Sequence, residues 1–209
     1  MIAVFTKWGC PKALRVDNGE PFGSPEPSTT PPLALWMIAH QIKMIWNPPR
    51  CPQQNGVVER MQQTSYRWAE VKKCSSIDQV QRQLEEAAFI QRQEYPVTRL
   101  SGKTRSEAFP KINQTLRKWD KERFNHQLVY DFLSKKVFIR KSSKSGQLFH
   151  MGHRINLKSK NGRIAVSIKL NAVTATWSIF NPTGQLIKIE PADYLKPDRI
   201  LNLTVFQRT

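Results

Sequence analysis

Acidic residues are scarce in two long parts of this 209-residue chain. Residues 1–16 contain no Asp or Glu, and none occurs between Phe132 and Ile189, a stretch that carries eleven Lys and Arg. Over the whole chain 33 basic residues stand against 16 acidic ones, a formal charge of +17. The excess is unevenly placed: residues 1–110 hold 14 basic and 10 acidic residues, and residues 111–209 hold 19 and 6. An ordinary solvated surface mixes signs. A one-sided excess destabilises the compact state by self-repulsion unless a polyanion neutralises it, so nucleic acid is the expected partner.

Cysteine is also sparse. Cys10, Cys51 and Cys74 are odd in number and far apart, which points to a reducing compartment rather than a disulfide framework. The four histidines do not combine with them at zinc-ligand spacing; His150-Met151-Gly152-His153 reads as a turn between two strands. No basic segment followed by an apolar one opens the chain, so no secretory leader is expected. The longest purely apolar run covers residues 33–39, too short to span a bilayer. The expected location is cytoplasmic (nucleoid-associated, if bacterial), without a membrane partner.

What is present divides the chain. Ala13-Leu14-Arg15-Val16 reads as a buried strand that ends in the turn Asp17-Asn18-Gly19. Five prolines within residues 21–32 predict an irregular loop. Residues 33–40 predict a buried helix and 42–46 a strand. Apolar spacing predicts amphipathic helices over 54–73, with Glu59 near the start, and over 76–93, capped by Ser76. Along the second, Ile77, Val80, Leu84, Ala88 and Gln91 should share a face. Residues 113–127 predict a charged helical linker. From Leu128 onward, strands over 136–141, 147–151, 164–170, 176–180 and 185–189, separated by turns, predict a small β-barrel. Trp177, Phe138 and Phe149 are expected in its core rather than as base-stacking platforms. The domain expectation is therefore 1–110, a linker 111–127, a basic β-domain 128–190 and a tail 191–209.

Two acids stand out by position. Asp17 sits where a strand ends, and Glu59 sits near the start of a helix. Carboxylates presented in this way can hold Mg²⁺ or Mn²⁺, which prefer oxygen ligands and assist phosphoryl transfer. Taken singly, Asp17 reads as part of an ordinary turn and Glu59 as a solvated helix residue.

The combination with the intervening residues is more specific. Trp8-Gly9-Cys10-Pro11, Arg15-Val16-Asp17-Asn18-Gly19-Glu20-Pro21-Phe22, and the run from Asn47 to Arg60 ending in Asn55-Gly56-Val57-Val58-Glu59-Arg60 resemble the second half of the catalytic core of retroviral-integrase-like DDE transposases. Tyr95-Pro96 and Gly102 to Pro110 extend the resemblance, and the basic tail is similar to the C-terminal DNA-binding barrel of such enzymes. The resemblance implies an α/β RNase H-like core, N-terminally truncated, followed by a small all-β barrel. It implies that Asp17 matches the second catalytic acid and Glu59 the third, with Mg²⁺ or Mn²⁺ as cofactor in the complete family enzyme. Asn55 and Gly56 match the turn that presents the glutamate helix. Here 41 residues separate the two acids against 35 in the family, a difference the 21–32 loop can absorb. The strand that carries the first catalytic Asp has no counterpart.

The resemblance also implies that Arg60, Gln63 and Arg67 face DNA along the glutamate helix, although a solvated helix face reads as well for each. In the tail, Lys135, Lys136, Arg140, Lys141, Lys144, Arg154, Lys158, Lys160 and Arg163 are the expected phosphate contacts. The resulting expectation is the C-terminal part of a transposase or integrase that binds DNA, performs metal-dependent strand transfer for DNA integration only as the complete enzyme, and is silent alone. The alternatives are a non-enzymatic DNA-binding regulator that joins full-length transposase, and a decayed remnant. Self-association is a further expected partnership.

Overall fold

The computed structural model describes residues 1–23, 30–48, 51, 53, 56–113 and 117–201. In chain order the helices are α1 (Ile2–Trp8), α2 (Pro32–Ala39), α3 (Gly56–Trp68), α4 (Ile77–Gln93), α5 (Arg105–Ala108), α6 (Gln127–Ser134) and α7 (Pro197–Leu201). The strands are β1 (Ala13–Val16), β2 (Lys43–Trp46), β3 (Phe138–Lys141), β4 (Gln147–His150), β5 (His153–Asn156), β6 (Ala165–Asn171), β7 (Thr176–Phe180) and β8 (Leu186–Pro191). The fold is mixed α/β with several sheets. It divides into a helical unit, residues 1–10 and 48–119, and a β-rich unit, residues 11–47 and 120–209.

In the β-rich unit, β1 and β2 pair in parallel, with Ala13 opposite Lys43 and Val16 opposite Trp46. A parallel pair needs a crossover, and α2 supplies it. Proline in its first turn suits a position whose backbone N–H has no helical acceptor, and Leu33, Ala34, Leu35, Trp36, Met37 and Ala39 are all buried. A helix that is apolar around its circumference belongs inside. The main chain ties it to the later part of the unit: Asn125 N donates to Ala39 O at 2.8 Å, and Trp46 stacks on Phe132 of α6 with centroids 6.0 Å apart.

The later strands form an antiparallel sheet in the order β3-β6-β7-β8, beside the separate hairpin β4-β5. Val166, Ile168 and Leu170 alternate inward along β6, as do Trp177 and Ile179 along β7. With Phe138, Leu148 and Ile155 they make the core, each fully buried side chain contributing roughly 1.5–3 kcal/mol. Among the described residues no ladder closes these strands into the expected barrel. Just past β3, Ser142 N still donates to Ile164 O at 2.9 Å, and its hydroxyl donates to Asn161 O at 2.7 Å and accepts from Ile164 N at 3.0 Å.

Three further expectations are corrected. Phe149 is 67% exposed, because the alternation of β4 puts Leu148 and His150 inward. Among its described residues the 113–127 segment is not one helix: Asn113 ends a 3₁₀ turn, Lys121–Arg123 form another, capped when Asp120 accepts from Glu122 N, and residues 114–116 lie outside the described set. A helix absent from the expectation, α6, occupies the stretch between that segment and the first predicted strand. Residues 24–29 of the expected loop and 202–209 of the tail also lie outside the described residues.

In the helical unit, Ser76 caps α4 by accepting from Gln79 N, and Thr104 with Glu107 closes a capping box on α5. Ala87 and Gln91, rather than Ala88, are the buried positions of α4, and Ile77 is exposed. α3 has strongly amphipathic spacing, yet none of its residues is buried, and Val57, Val58 and Met61 are each more than half exposed. Among the described residues no helix is long and apolar enough to cross a membrane.

Candidate nucleic-acid interface

Asp17 follows β1, where the sheet edge ends, and its side chain is exposed. The turn is held locally. Gly19 N donates to Asp17 Oδ1 at 3.0 Å, and Asn18 Nδ2 donates to Asn47 O at 3.0 Å beyond the end of β2. Glu59 lies in the first turn of α3 and is exposed. Asp17 belongs to the β-rich unit and Glu59 to the helical unit. Among the described residues no three His, Cys, Asp or Glu side chains gather as a metal-holding group. Asn55 lies outside the described residues, and Gly56 opens α3.

Arg60, Gln63 and Arg67 are all exposed on α3, at the i, i+3, i+7 spacing that puts side chains on one face of a helix. Gln63 and Arg67 border a shallow depression with Gln62 and Tyr66. Arg60 borders a different cavity, shared with α4 and the segment that follows it.

The basic residues of the tail separate into three groups. Lys136 is half-buried: its Nζ donates to Thr30 Oγ1 at 3.1 Å and lies 4.4 Å from the centroid of the Phe132 ring. Burial holds its ammonium below the usual lysine range. Lys136 therefore packs its ammonium against Thr30 and the Phe132 ring. Arg140 is half-buried opposite Val166. Arg154 binds Gln147 Oε1 across the hairpin, and Lys135 is exposed just after α6.

The third group is brought together by the fold. The loop after β3 and the loop after β5 interlock through backbone contacts. Leu157 N donates to Gly146 O at 2.7 Å, and Arg163 N donates to Ser143 O at 3.0 Å. The approach is so close that a Cβ at Gly146 would lie 1.9 Å from Lys158 O, and one at Gly162 would lie 2.3 Å from Lys144 O. Lys158 and Arg163 take left-handed backbone, φ 65° and 61°, a conformation costly for side chains of this kind. The interlocked loops carry Lys144, Lys158, Lys160 and Arg163, and Lys141 ends β3 just before them; all five are exposed, with no acid in the sequence between Phe132 and Ile189. Sequence reasoning misses Lys169, which is exposed on the outer face of β6 opposite Ser178; its place in an alternating strand is the available signal. Lys188, by contrast, is paired with Glu190 at 2.8 Å.

No protein-family model matches this chain, and a search of curated proteins finds no match.

Proposed function

We propose that the chain binds nucleic acid through the β-rich unit, and that it is the C-terminal part of a DDE transposase or integrase with an RNase H-like core. The carrying observation is the pair of interlocked loops. Five basic side chains are held on backbone that cannot separate without breaking glycine-mediated contacts, so little order must be gained on binding a phosphate backbone. Such contacts position a protein without reading sequence.

Binding of the full chain to a labelled duplex, followed by fluorescence anisotropy over a salt series, tests this. Five phosphate contacts give a slope of about −4.5 in log K against log salt. Lys144→Gln with Lys160→Gln should reduce the slope by about 2. Affinity insensitive to salt, or a slope untouched by the double variant, would sink the reading.

The family part of the proposal rests on the motifs around Asp17 and Glu59. In the complete enzyme these would be the second and third acids that hold Mg²⁺ or Mn²⁺ for strand transfer. The donor set of this chain does not fit such a metal by itself, since among the described residues no third ligand gathers with them. The chain alone should therefore be silent in a strand-transfer assay with either metal. A cytoplasmic, nucleoid-associated place follows from the same reading.

A second reading, a regulator that associates with full-length transposase, draws support from α3. Its exposed Val57, Val58 and Met61 form the kind of apolar patch that marks contact with another chain. Light scattering of the purified chain with and without that enzyme separates the two readings.

A further inference from the structure

The cavity bordered by Arg60 has a composition of its own. It measures about 700 Å³ and lies between α3, α4 and the 95–105 segment, a size within the range of about 300–1,000 Å³ usual for small-molecule sites. Three arginines, Arg60, Arg99 and Arg105, line it together with Trp68, Tyr95 and Met61, and among the described residues no Asp or Glu lines it.

Three of these residues are anchored by hydrogen bonds. Arg105 Nη1 donates to Gln91 O at 2.6 Å, which ties the start of α5 to α4. Arg99 sits in the 3₁₀ turn Thr98–Leu100, inside a loop closed by Val97 N donating to Lys103 O at 3.0 Å. Tyr95 is fixed at the end of α4 by its N–H to Ile90 O at 2.9 Å. Trp68 and Tyr95 meet edge to face, with centroids 5.1 Å apart and ring planes at 68°. That arrangement leaves ring faces unstacked, and the two residues are 37% and 48% exposed.

Uncompensated arginines favour a phosphate, which their planar forks can grip with two hydrogen bonds each. Open aromatic faces favour a flat ring, and every nucleobase has one. We infer that this cavity binds a nucleoside phosphate, with the base against Trp68 and Tyr95 and the phosphate among Arg60, Arg99 and Arg105. The site belongs wholly to the helical unit and stands independently of the interlocked loops of the β-rich unit.

The test uses the full chain. Irradiation with 5-iodo-2′-deoxyuridine 5′-monophosphate, followed by peptide mass spectrometry, should place the cross-link on Trp68 or Tyr95. Calorimetry should find thymidine 5′-monophosphate binding at least tenfold more tightly than either thymidine or inorganic phosphate. Tyr95→Ala and Arg99→Gln should each weaken it by roughly tenfold, with unchanged circular dichroism and an unchanged duplex salt slope. The last readout separates failure of this site from failure of the β-rich unit. A 5′-phosphorylated trithymidylate distinguishes the sources: tighter binding than the mononucleotide assigns the site to a strand, and equal binding assigns it to a free nucleotide. Cross-links confined to residues 138–189, no preference for the monophosphate over its two parts, or wild-type binding by both variants would each overturn the inference.

Discussion

His150 offers the most demanding check on the β-rich core. It is fully buried, enclosed by Phe138 at 4.9 Å and Trp177 at 4.4 Å between ring centroids. Among the described residues neither ring nitrogen has a hydrogen-bond partner. Burial, helped by the positive charge of Arg140, pushes its pKa from an ordinary 6.5 down to about 4. The unfolded chain therefore takes up a proton near pH 6.5 that the folded chain refuses until about pH 4. Stability from this group is complete above pH 6.5 and falls as pH drops through that window, reaching a loss of about 3 kcal/mol at the acid end. At pH 4.5 the loss is about 2.5 kcal/mol. His126 is shifted the same way by burial, so wild type must be compared with His150→Leu rather than read alone. The variant should match wild type within about 1 kcal/mol at pH 7.5, since it removes two unsatisfied nitrogens, and should exceed it by about 2.5 kcal/mol at pH 4.5. Urea denaturation at both pH values measures the difference, and NMR titration of the His150 ring in the native chain measures its midpoint. A midpoint near 6.5, or the same acid sensitivity in the variant, would refute the reasoning.

Three other perturbations follow from the geometry. Gly146→Ala combines left-handed backbone with a Cβ 1.9 Å from Lys158 O; it should cost about 2–5 kcal/mol in chemical denaturation and weaken duplex binding in anisotropy. Neighbours on β4 should differ sharply: Leu148→Ala should cost about 2–5 kcal/mol, and Phe149→Ala should stay within about 0.5 kcal/mol, both read from denaturation midpoints. Ser76→Ala removes the acceptor for Gln79 N and should lower stability by about 1 kcal/mol, with faster amide exchange confined to the first turn of α4.

Some of this is legible in the residues. The strand at Ala13–Val16, the helix at Pro32–Ala39 and the strand at Lys43–Trp46 are short apolar runs bounded by turn or proline signals, and they appear within a residue or two of expectation. The turn at Met151-Gly152 also falls where the residues place it, between β4 and β5. β5 itself is not legible, because His153-Arg154-Ile155-Asn156 has one apolar residue, and its alternation shows only once Ile155 is known to be buried. α6 is masked by the charged residues before it, although Val129, Tyr130 and Leu133 share its buried face. The basic stretch can be read as charge, but its gathering depends on Gly146 and Gly162 meeting distant carbonyls, which no local pattern reports. For Lys136, composition gives a cation, and only the rings of Phe132 and Trp46 disclose its packing role. The cavity at Arg99 and Arg105 has no sequence signal beyond loose arginines in a turn-rich segment.

The β-rich unit is built from residues 11–47 and 120–209, with the intervening chain belonging elsewhere. A ribosome therefore delivers α2, with Leu33, Leu35, Trp36 and Met37 ready for burial, well before α6 is available to it. At ordinary synthesis rates that delay is on the order of 4–18 s, long enough for a chaperone to hold the nascent apolar helix. It also means that no single cut releases a complete module. A fragment beginning at residue 111 would keep every basic loop but lose the helix that receives Asn125 and the indole that stacks on Phe132. Deletion mapping by truncation would then report misfolding in place of function, whereas point substitutions in the intact chain would not.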